Sequence, residues 1–400
     1  MHTLQLTSLP LRTIGGNLIY YFWPDNHMWS QAVLRALFTG GTPGEVIEVV
    51  AALKSLPETE QTDEAWCGAW TRVAERLGIR GAGARTAGHR QTAASSLLRS
   101  AIYYQFAIAF ADPHGEQRSS THRRSLEAFA AYAELSDPPI ERVEVPYQGA
   151  TFPAWFIPPA PGGGGPSPAV FYLPGWDSTK EQGIEVGLAV AARGVGVLLC
   201  DGPGIGEAVA YRGMVNRYDY EVVGTAAFDY LATRADVDPA RIGVVGSSLG
   251  GYRAARVAAF ENRLAAAVVW GAIWNFGEMW KRSLHAPGTT LPTRTAHALH
   301  VMGANDLDEV TTLTADWDLA PVAAQIRCPL LVLHGEHDVQ VPTADAQRLF
   351  DTAQSTVKEL KIFTEDEGGA AHCQNDNRLL AHEYIGDWLA DVLVADPTST

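Results

Sequence analysis

A mainly parallel, doubly wound α/β sheet preceded by a helical region is the architecture this sequence predicts. Three observations carry that reading. From residue 169 onward, short apolar runs rich in β-branched residues alternate with helical segments, the pattern of parallel strands covered on both faces. The first 139 residues read almost wholly as helices. The run 242–246 leads into Gly246-Ser247-Ser248-Leu249-Gly250, and a helix-like stretch follows; strand, sharp turn and helix in that order present a serine at the rim of a sheet.

Residues 1–139 are expected to form a helical cap region. After a strand-like stretch at 18–23, helices are expected at 29–38, 43–53, 63–77, 85–110 and 119–135. In the fourth, Leu97, Leu98, Ala101, Ile102 and Gln105 keep helical spacing, with Tyr103 and Tyr104 beside them. The aromatic cluster at 20–29 and the Tyr103-Tyr104 pair have two readings, helix packing or the wall of a pocket for a ring-bearing substrate. Tyr104 is the candidate substrate contact among them.

Asp137-Pro138-Pro139 marks the change to a second unit, residues 140–400. Two β-like runs, 140–147 and 151–157, flank Gln148-Gly149-Ala150, a hairpin turn. The glycine-rich stretch 161–166 lacks the Gly-Lys-Ser/Thr ending of a phosphate loop and reads as an exposed connector. Strands are then expected at 169–173, 195–200, 242–246, 265–270, 330–334 and 358–363, and helices near 181–193, 221–233, 249–260 and 343–353. Between about 271 and 325 the alternation breaks for far longer than a usual connection. That insertion carries Trp274, Phe276, Trp280 and Trp317 and is expected to lie as a lid over Ser248.

Composition narrows the functions on offer. With 46% hydrophobic residues in 400, a large core is available, and the formal charge of -15 with no block of Lys or Arg argues against a nucleic acid or an anionic membrane as partner. Cys67, Cys200, Cys328 and Cys373 are scattered and form no metal-ligand spacing; so few cysteines fit a reducing compartment. The N-terminus lacks a signal-like basic and apolar pattern, and no apolar run approaches the roughly 20 residues of a membrane span. The expectation is a cytoplasmic protein acting on a small molecule, with no metal and no cofactor.

A serine hydroxyl is a weak nucleophile and needs a base within hydrogen-bond reach, oriented in turn by an acid. On a doubly wound sheet of this kind the chain order is Ser, Asp or Glu, then His. Ser248 is the candidate nucleophile. Asp338, in the loop after the 330–334 strand, is the candidate acid, with Glu336 as competitor. His372, in the loop after the 358–363 strand, is the candidate base, with His334 and His337 as competitors that share the acid's own stretch and lie poorly for reaching Ser248. His285, His297 and His300 in the insertion, and His382 in the final helix, are expected at the surface. A metal cluster of His334, His337, Asp338 and His372 is disfavoured, since no His-Glu-x-x-His helix accompanies it.

Acyl chemistry also needs donors for a developing oxyanion. The N–H of Leu249, just after the serine, is one candidate. The N–H of Trp176, in the loop after the 169–173 strand, is the other, with Gly175 permitting close approach. Asp177 beside them either caps the next helix or faces the pocket, where a carboxyl binds a substrate hydroxyl or moves a proton.

Four blocks in order resemble the FrsA-like group of α/β-hydrolases: Pro-Gly-Trp-Asp-Ser-Thr-Lys-Glu at 174–181, Asp-Gly-Pro-Gly-Ile-Gly-Glu at 201–207, Gly-Ser-Ser-Leu-Gly-Gly at 246–251 and Glu-Gly-Gly-Ala-Ala-His-Cys at 367–373. That group includes 2,6-dihydroxypseudooxynicotine hydrolase and fungal hydrolases that shorten aromatic polyketides. The likeness runs from about Tyr104 to the C-terminus. It implies the α/β-hydrolase fold with a helical cap, Ser248, Asp338 and His372 as triad, an acidic residue at Asp177 assisting substrate binding, and a homodimer formed through the helical region. It also implies hydrolysis of a carbon–carbon bond beside a ketone, a retro-Claisen cleavage of an aromatic or polyketide-like substrate. Members of the group also cleave ordinary esters, and the same triad serves an acyltransferase or cyclase when water is excluded; a binding protein with an inactive pocket is the reading from another class. Ile205 and Trp176 stand where many relatives carry Gln and a smaller apolar residue, and both bear on substrate shape.

Overall fold

The computed structural model describes residues 22–23, 26–160, 165–284 and 292–394. Most of the strand expected at 18–23, Tyr20 and Tyr21, most of the glycine-rich connector, and His285 lie outside these residues.

Five helices come first: α1 (His27–Phe38), α2 (Pro43–Lys54), α3 (Asp63–Thr86), α4 (Arg90–Ala107) and α5 (Glu116–Leu135). The helix expected as one piece over 85–110 is divided. Its first residues belong to α3, and the chain turns at Gly88, whose φ of 77° a side chain would resist. These helices keep a core of their own, in which Trp29, Trp66, Trp70, Tyr103 and Phe106 are buried against one another. Buried aromatic polar atoms find partners there, as rings of this kind require: the Trp66 indole donates to the Phe106 carbonyl at 2.7 Å, and the Tyr103 hydroxyl donates to Glu45 at 2.8 Å.

An eight-stranded sheet follows, with strands β1 (Glu141–Tyr147), β2 (Ala150–Ile157), β3 (Ser167–Leu173), β4 (Gly196–Cys200), β5 (Val237–Ser247), β6 (Ala266–Trp270), β7 (Leu330–Gly335) and β8 (Lys358–Phe363) in the spatial order β1-β2-β4-β3-β5-β6-β7-β8. The first two pairings, β1 with β2 and β2 with β4, are antiparallel and the rest are parallel. Gln148 and Gly149 both take positive φ and join β1 to β2 in a two-residue turn, the geometry that matches strand twist. Alternate residues of each strand enter different cores: in β3, Ala169, Phe171 and Leu173 face one and Val170 and Tyr172 the other. The first face is covered by α8 (Glu221–Ala232), α9 (Leu249–Phe260) and α13 (Thr343–Thr352); the second by α6 (Ile184–Ala191) and α14 (Arg378–Leu393), with Leu97 of α4 and Phe129 of α5 packing against it. The short α7 (Gly206–Arg212) follows β4.

Strand order reverses about β3, which has β4 on one side and β5 on the other. Ligands of such sheets bind where this switch opens a crevice beyond the strands' carboxyl ends. The loop at 174–179 leaves β3 there, and Ser248 directly follows β5. The insertion supplies α10 (Phe276–Leu284), α11 (Pro292–Met302) and α12 (Leu307–Leu313). Two of these reach the β3 loop: Phe276 and Trp280 of α10 and His297 of α11 pack around the Trp176 ring, with centroids 5.3, 6.0 and 5.9 Å away.

Candidate active site

The turn at Ser248 is made possible by what is missing on either side of it. A Cβ on Gly246 would meet the Gly250 carbonyl oxygen at 1.9 Å, and one on Gly250 the Leu173 carbonyl oxygen at 1.9 Å. Ser248 itself sits at φ 56°, ψ −120°, a conformation that L-residues adopt at a cost of about 1–3 kcal/mol. Its N–H donates to the Trp270 carbonyl at 2.7 Å, which holds the strained turn against β6. The first N–H groups of α9 begin at Leu249, where a helix has no internal acceptors and carries positive potential.

Three side chains from three loops meet at this point. His372 Nε2 lies 2.9 Å from Ser248 Oγ, and His372 Nδ1 lies 2.6 Å from Asp338 Oδ2. Asp338 is fully buried, and its other oxygen accepts the N–H groups of Gln340 and Val341 at 2.9 Å each. Burial alone would raise that carboxyl; His372 outweighs it and holds it below its usual range. Burial would likewise lower His372, but the Asp338 carboxylate beside it raises the imidazole well above its usual value.

The competitors sit elsewhere. His334 is buried behind Asp338, 3.4 Å from its Oδ2, and its Nε2–H donates to the Val341 carbonyl at 2.9 Å. His337 meets Glu365 at 3.4 Å, and Glu336 accepts from the Glu365 N–H at 3.2 Å, both in exposed surroundings. Gly175 is brought against the serine: a Cβ there would lie 3.3 Å from Ser248 Cβ. Trp176 is the next residue of that loop.

Asp177 does not cap the helical turn that follows it, which has no side-chain cap. It faces a cavity instead, and Arg35 of α1 reaches across to it, donating from Nη1 to Asp177 Oδ2 at 2.6 Å and from Nη2 to Ser178 and Gln182 at 3.1 and 2.6 Å. Partial burial works against its ionisation, yet the Arg35 guanidinium beside it holds the carboxyl below its usual range. Tyr104 is a correction. It is not among the residues lining this cavity; its ring is buried in the helical core with the Arg124 guanidinium 4.6 Å above it. Its chain neighbours Gln105 and Phe106 line the cavity in its place.

Two histidines expected at the surface are also corrected. His297 Nε2 lies 3.2 Å from the Trp176 carbonyl. His382 is buried edge-on to Trp270, and burial pushes it down to about 3. Arg35 went unrecognised in the sequence because a single Arg on a helix reads as a solvated side chain.

The acidic and basic residues of the 174–181 and 201–207 blocks do a different job. Lys180 Nζ lies 2.7, 2.9 and 2.5 Å from Glu181, Asp201 and Glu207, all withdrawn from water. Arg142 binds both oxygens of Glu207 at 2.7 and 2.8 Å, and the Trp155 indole and Gln105 amide donate to Glu181 at 2.9 and 3.0 Å. Burial opposes the charge on Glu207, but Arg142 and Lys180 hold it down to about 2. The cluster fastens the β3 loop to β4 and α7.

With this geometry in view, the comparisons with known proteins are informative. The description "Esterase FrsA-like" matches residues 50–283, so the likeness begins well before Tyr104, and "Prolyl oligopeptidase family" matches residues 188–395. The chain belongs to the FrsA-like α/β-hydrolases. It is 33% identical to 2,6-dihydropseudooxynicotine hydrolase of Paenarthrobacter nicotinovorans over 77% of this chain and 79% of that one. A crystal structure of 2,6-dihydroxy-pseudo-oxynicotine hydrolase superposes with a TM-score of 0.76 at 28% identity, over 90% of this chain and 95% of the other. An alpha/beta hydrolase of an Acremonium species is 33% identical over 66% of this chain, which spans only 57% of that relative. The protein is therefore an enzyme of the α/β-hydrolase family, related to a 2,6-dihydropseudooxynicotine hydrolase and to fungal alpha/beta hydrolases. No helix among the described residues is long and apolar enough to cross a membrane.

Proposed function

We propose that this enzyme is a serine hydrolase that cleaves a carbon–carbon bond beside a ketone in an aromatic or polyketide-like substrate. The observation that carries the reading is the continuous hydrogen-bonded chain from Ser248 Oγ through His372 to Asp338. In the scheme, Ser248 Oγ attacks the ketone carbon while His372 Nε2 takes its proton, and Asp338 fixes the imidazole and offsets its charge. The oxyanion is received by the N–H groups of Leu249 and Trp176. Collapse breaks the C–C bond; its electron pair leaves on the enolate carbon, which takes the proton from His372. Water, deprotonated by the same imidazole, then releases the acyl group as an acid and restores Ser248.

Asp177, held ionised by Arg35, is an acceptor for a substrate hydroxyl rather than a proton donor. Trp176, backed by the buried rings of Phe276 and Trp280, supplies an apolar contact for a ring, and the insertion serves as the lid over it. The scheme draws on side chains and water alone. Ordinary ester hydrolysis by the same triad is the second reading, favoured by the esterase description the chain matches.

Intact-mass labelling with a fluorophosphonate tests the core of this. One adduct on the wild type, lost in Ser248→Ala and sharply reduced in His372→Ala, is expected; an adduct that survives Ser248→Ala overturns it. Comparing β-diketones with p-nitrophenyl esters on wild type and Asp177→Asn then separates the two readings. Selective loss of ketone cleavage is expected, and ester turnover with no diketone cleavage by the wild type would assign the enzyme to the esterases.

A further inference from the structure

Among its described lining residues, the cavity that Asp177 faces carries one more guanidinium than carboxylate. Its wall includes Arg35, Gln105, Phe110, Arg118, Asp177 and His297, so the helical region, the β3 loop and the insertion all contribute to it. Asp177 is its one carboxylate among the lining residues, and Arg35 already occupies it. Arg118 has no equivalent partner. Its Nη1 donates to the carbonyls of Ile108 and Ala111 at 2.9 and 3.1 Å, and among the described residues no carboxylate oxygen lies within 4.0 Å of it. Asp112 and Tyr211 act on it only at longer range. Its Nη2 and Nε make no hydrogen bond among the described residues, which leaves most of the planar fork unused.

The neighbouring groups add to the imbalance. Arg294 of α11 forms no ion pair among the described residues and feels Asp177 only at a distance. His297 and His300 are pushed down to about 4 by burial and then by Arg118, so they stay neutral and contribute no further charge near pH 7. The Arg118 guanidinium is part-buried, and its planar fork matches a carboxylate in two parallel bonds.

We propose that Arg118 anchors an anion subsite, which takes a carboxylate carried by the substrate into the cavity flanked by Asp177 and His297. The subsite deepens the hydrolase reading and rests on it, since the anion belongs to the molecule whose carbonyl meets Ser248. The two are linked through one short loop: Gly175 lies against Ser248, and Asp177, two residues on, lines the cavity. The substrate class that follows is an aromatic or polyketide-like ketone with an ionised acid group remote from the bond that breaks.

The test uses calorimetry, which needs no turnover, with phenylacetate and 3-phenylpropanoate as probes and their amides as neutral controls. On the wild type each carboxylate is expected to bind at least tenfold more tightly than its amide, with a preference that weakens as salt is raised. Arg118→Gln should bring that preference to within twofold, and Arg118→Lys, which keeps the charge and loses the fork, should retain part of it. Thermal melts establish that both variants fold; should Arg118→Gln not fold, the Lys variant and the wild-type salt dependence carry the test. Equal binding of acid and amide by the wild type overturns the subsite, as does a preference that persists undiminished in the folded Gln variant. Fluorophosphonate labelling of Ser248 is read on the same samples. Labelling without carboxylate preference sinks the subsite alone, whereas loss of labelling strikes the hydrolase reading first.

Discussion

Lys180 and Asp177 stand three residues apart in the loop after β3, and both face opposite charge, yet they sit in contrasting surroundings. Around Lys180 the charges close: three carboxylates, a second cation in Arg142 and two neutral donors leave little capacity unused. Around Asp177 they do not. Its carboxylate is half-exposed, its Arg35 partner also serves Ser178 and Gln182, and Arg118 nearby pairs with no carboxylate among the described residues. A closed set of charges positions the backbone; an open one is available to a ligand. The contrast predicts that substitutions in the first set act on folding and those in the second on chemistry.

The largest effect is expected where the open side reaches the reacting atoms. Ser248→Ala should lower kcat by roughly 10^4–10^6 with an unchanged melting midpoint, the size seen when a member of such a triad is removed. A comparable fall in stability would mean that the turn is a structural device first. Lys180→Met should do the reverse. It leaves the buried Glu181 and Asp201 without their cation and should cost about 3–5 kcal/mol of stability, read by denaturant unfolding; any remaining folded enzyme should label normally at Ser248. Normal stability in that variant would break the distinction between the two clusters.

A smaller effect is set by pH. His372 must be neutral to accept the serine proton, and Asp338 raises its affinity for protons. On a small neutral ester, kcat/KM should therefore climb about tenfold per pH unit along a limb whose midpoint lies above 6.5. Asp338→Asn should move that limb to lower pH while lowering the plateau, and a limb that stays in place would detach Asp338 from the imidazole. Smallest is Arg35→Gln. A partly exposed pair contributes about 0–1 kcal/mol to stability, so the melting midpoint should hardly move. The Asp177 carboxyl loses its main support, and kcat/KM on hydroxylated ketones should fall by roughly tenfold, in line with one charged hydrogen bond. Equal losses on substrates with and without the hydroxyl would place Asp177 outside substrate recognition.

Much of this was legible in the sequence because it is local. Apolar β-branched runs located the six parallel-sheet strands, and Gly246, Ser248 and Gly250 located the turn, since their spacing is dictated by backbone crowding within five residues. Ser248, Asp338 and His372 were reachable because each lies in the segment that follows a strand's carboxyl end, and those ends share one rim of the sheet. What escaped depends on long-range packing. Arg35 and Arg118 lie 142 and 59 residues from Asp177 on helices whose charged residues look solvated, and nothing local reports which face turns inward. Tyr104 was misplaced by one position on a helix, enough to swing a side chain through about 100° from the cavity into the aromatic core. His297 and His382 seemed to be surface groups because a lone polar residue in a helix ordinarily is one.

The grip of α1 and α4 on the β3 loop has a consequence for how such enzymes diversify. Arg35 and Gln105 hold that loop through Asp177, Ser178, Gln182 and Glu181, so the cap is part of the machinery's frame and not a detachable cover. A chimaera that exchanged residues 1–139 for another family member's would inherit a new pocket only if the incoming helices brought cations to the same two places. Change in specificity by recombination is thereby restricted to donors that share this polar seam, while point substitutions at Met28, Gln31 and Ala32 on the cavity side of α1 remain open to drift.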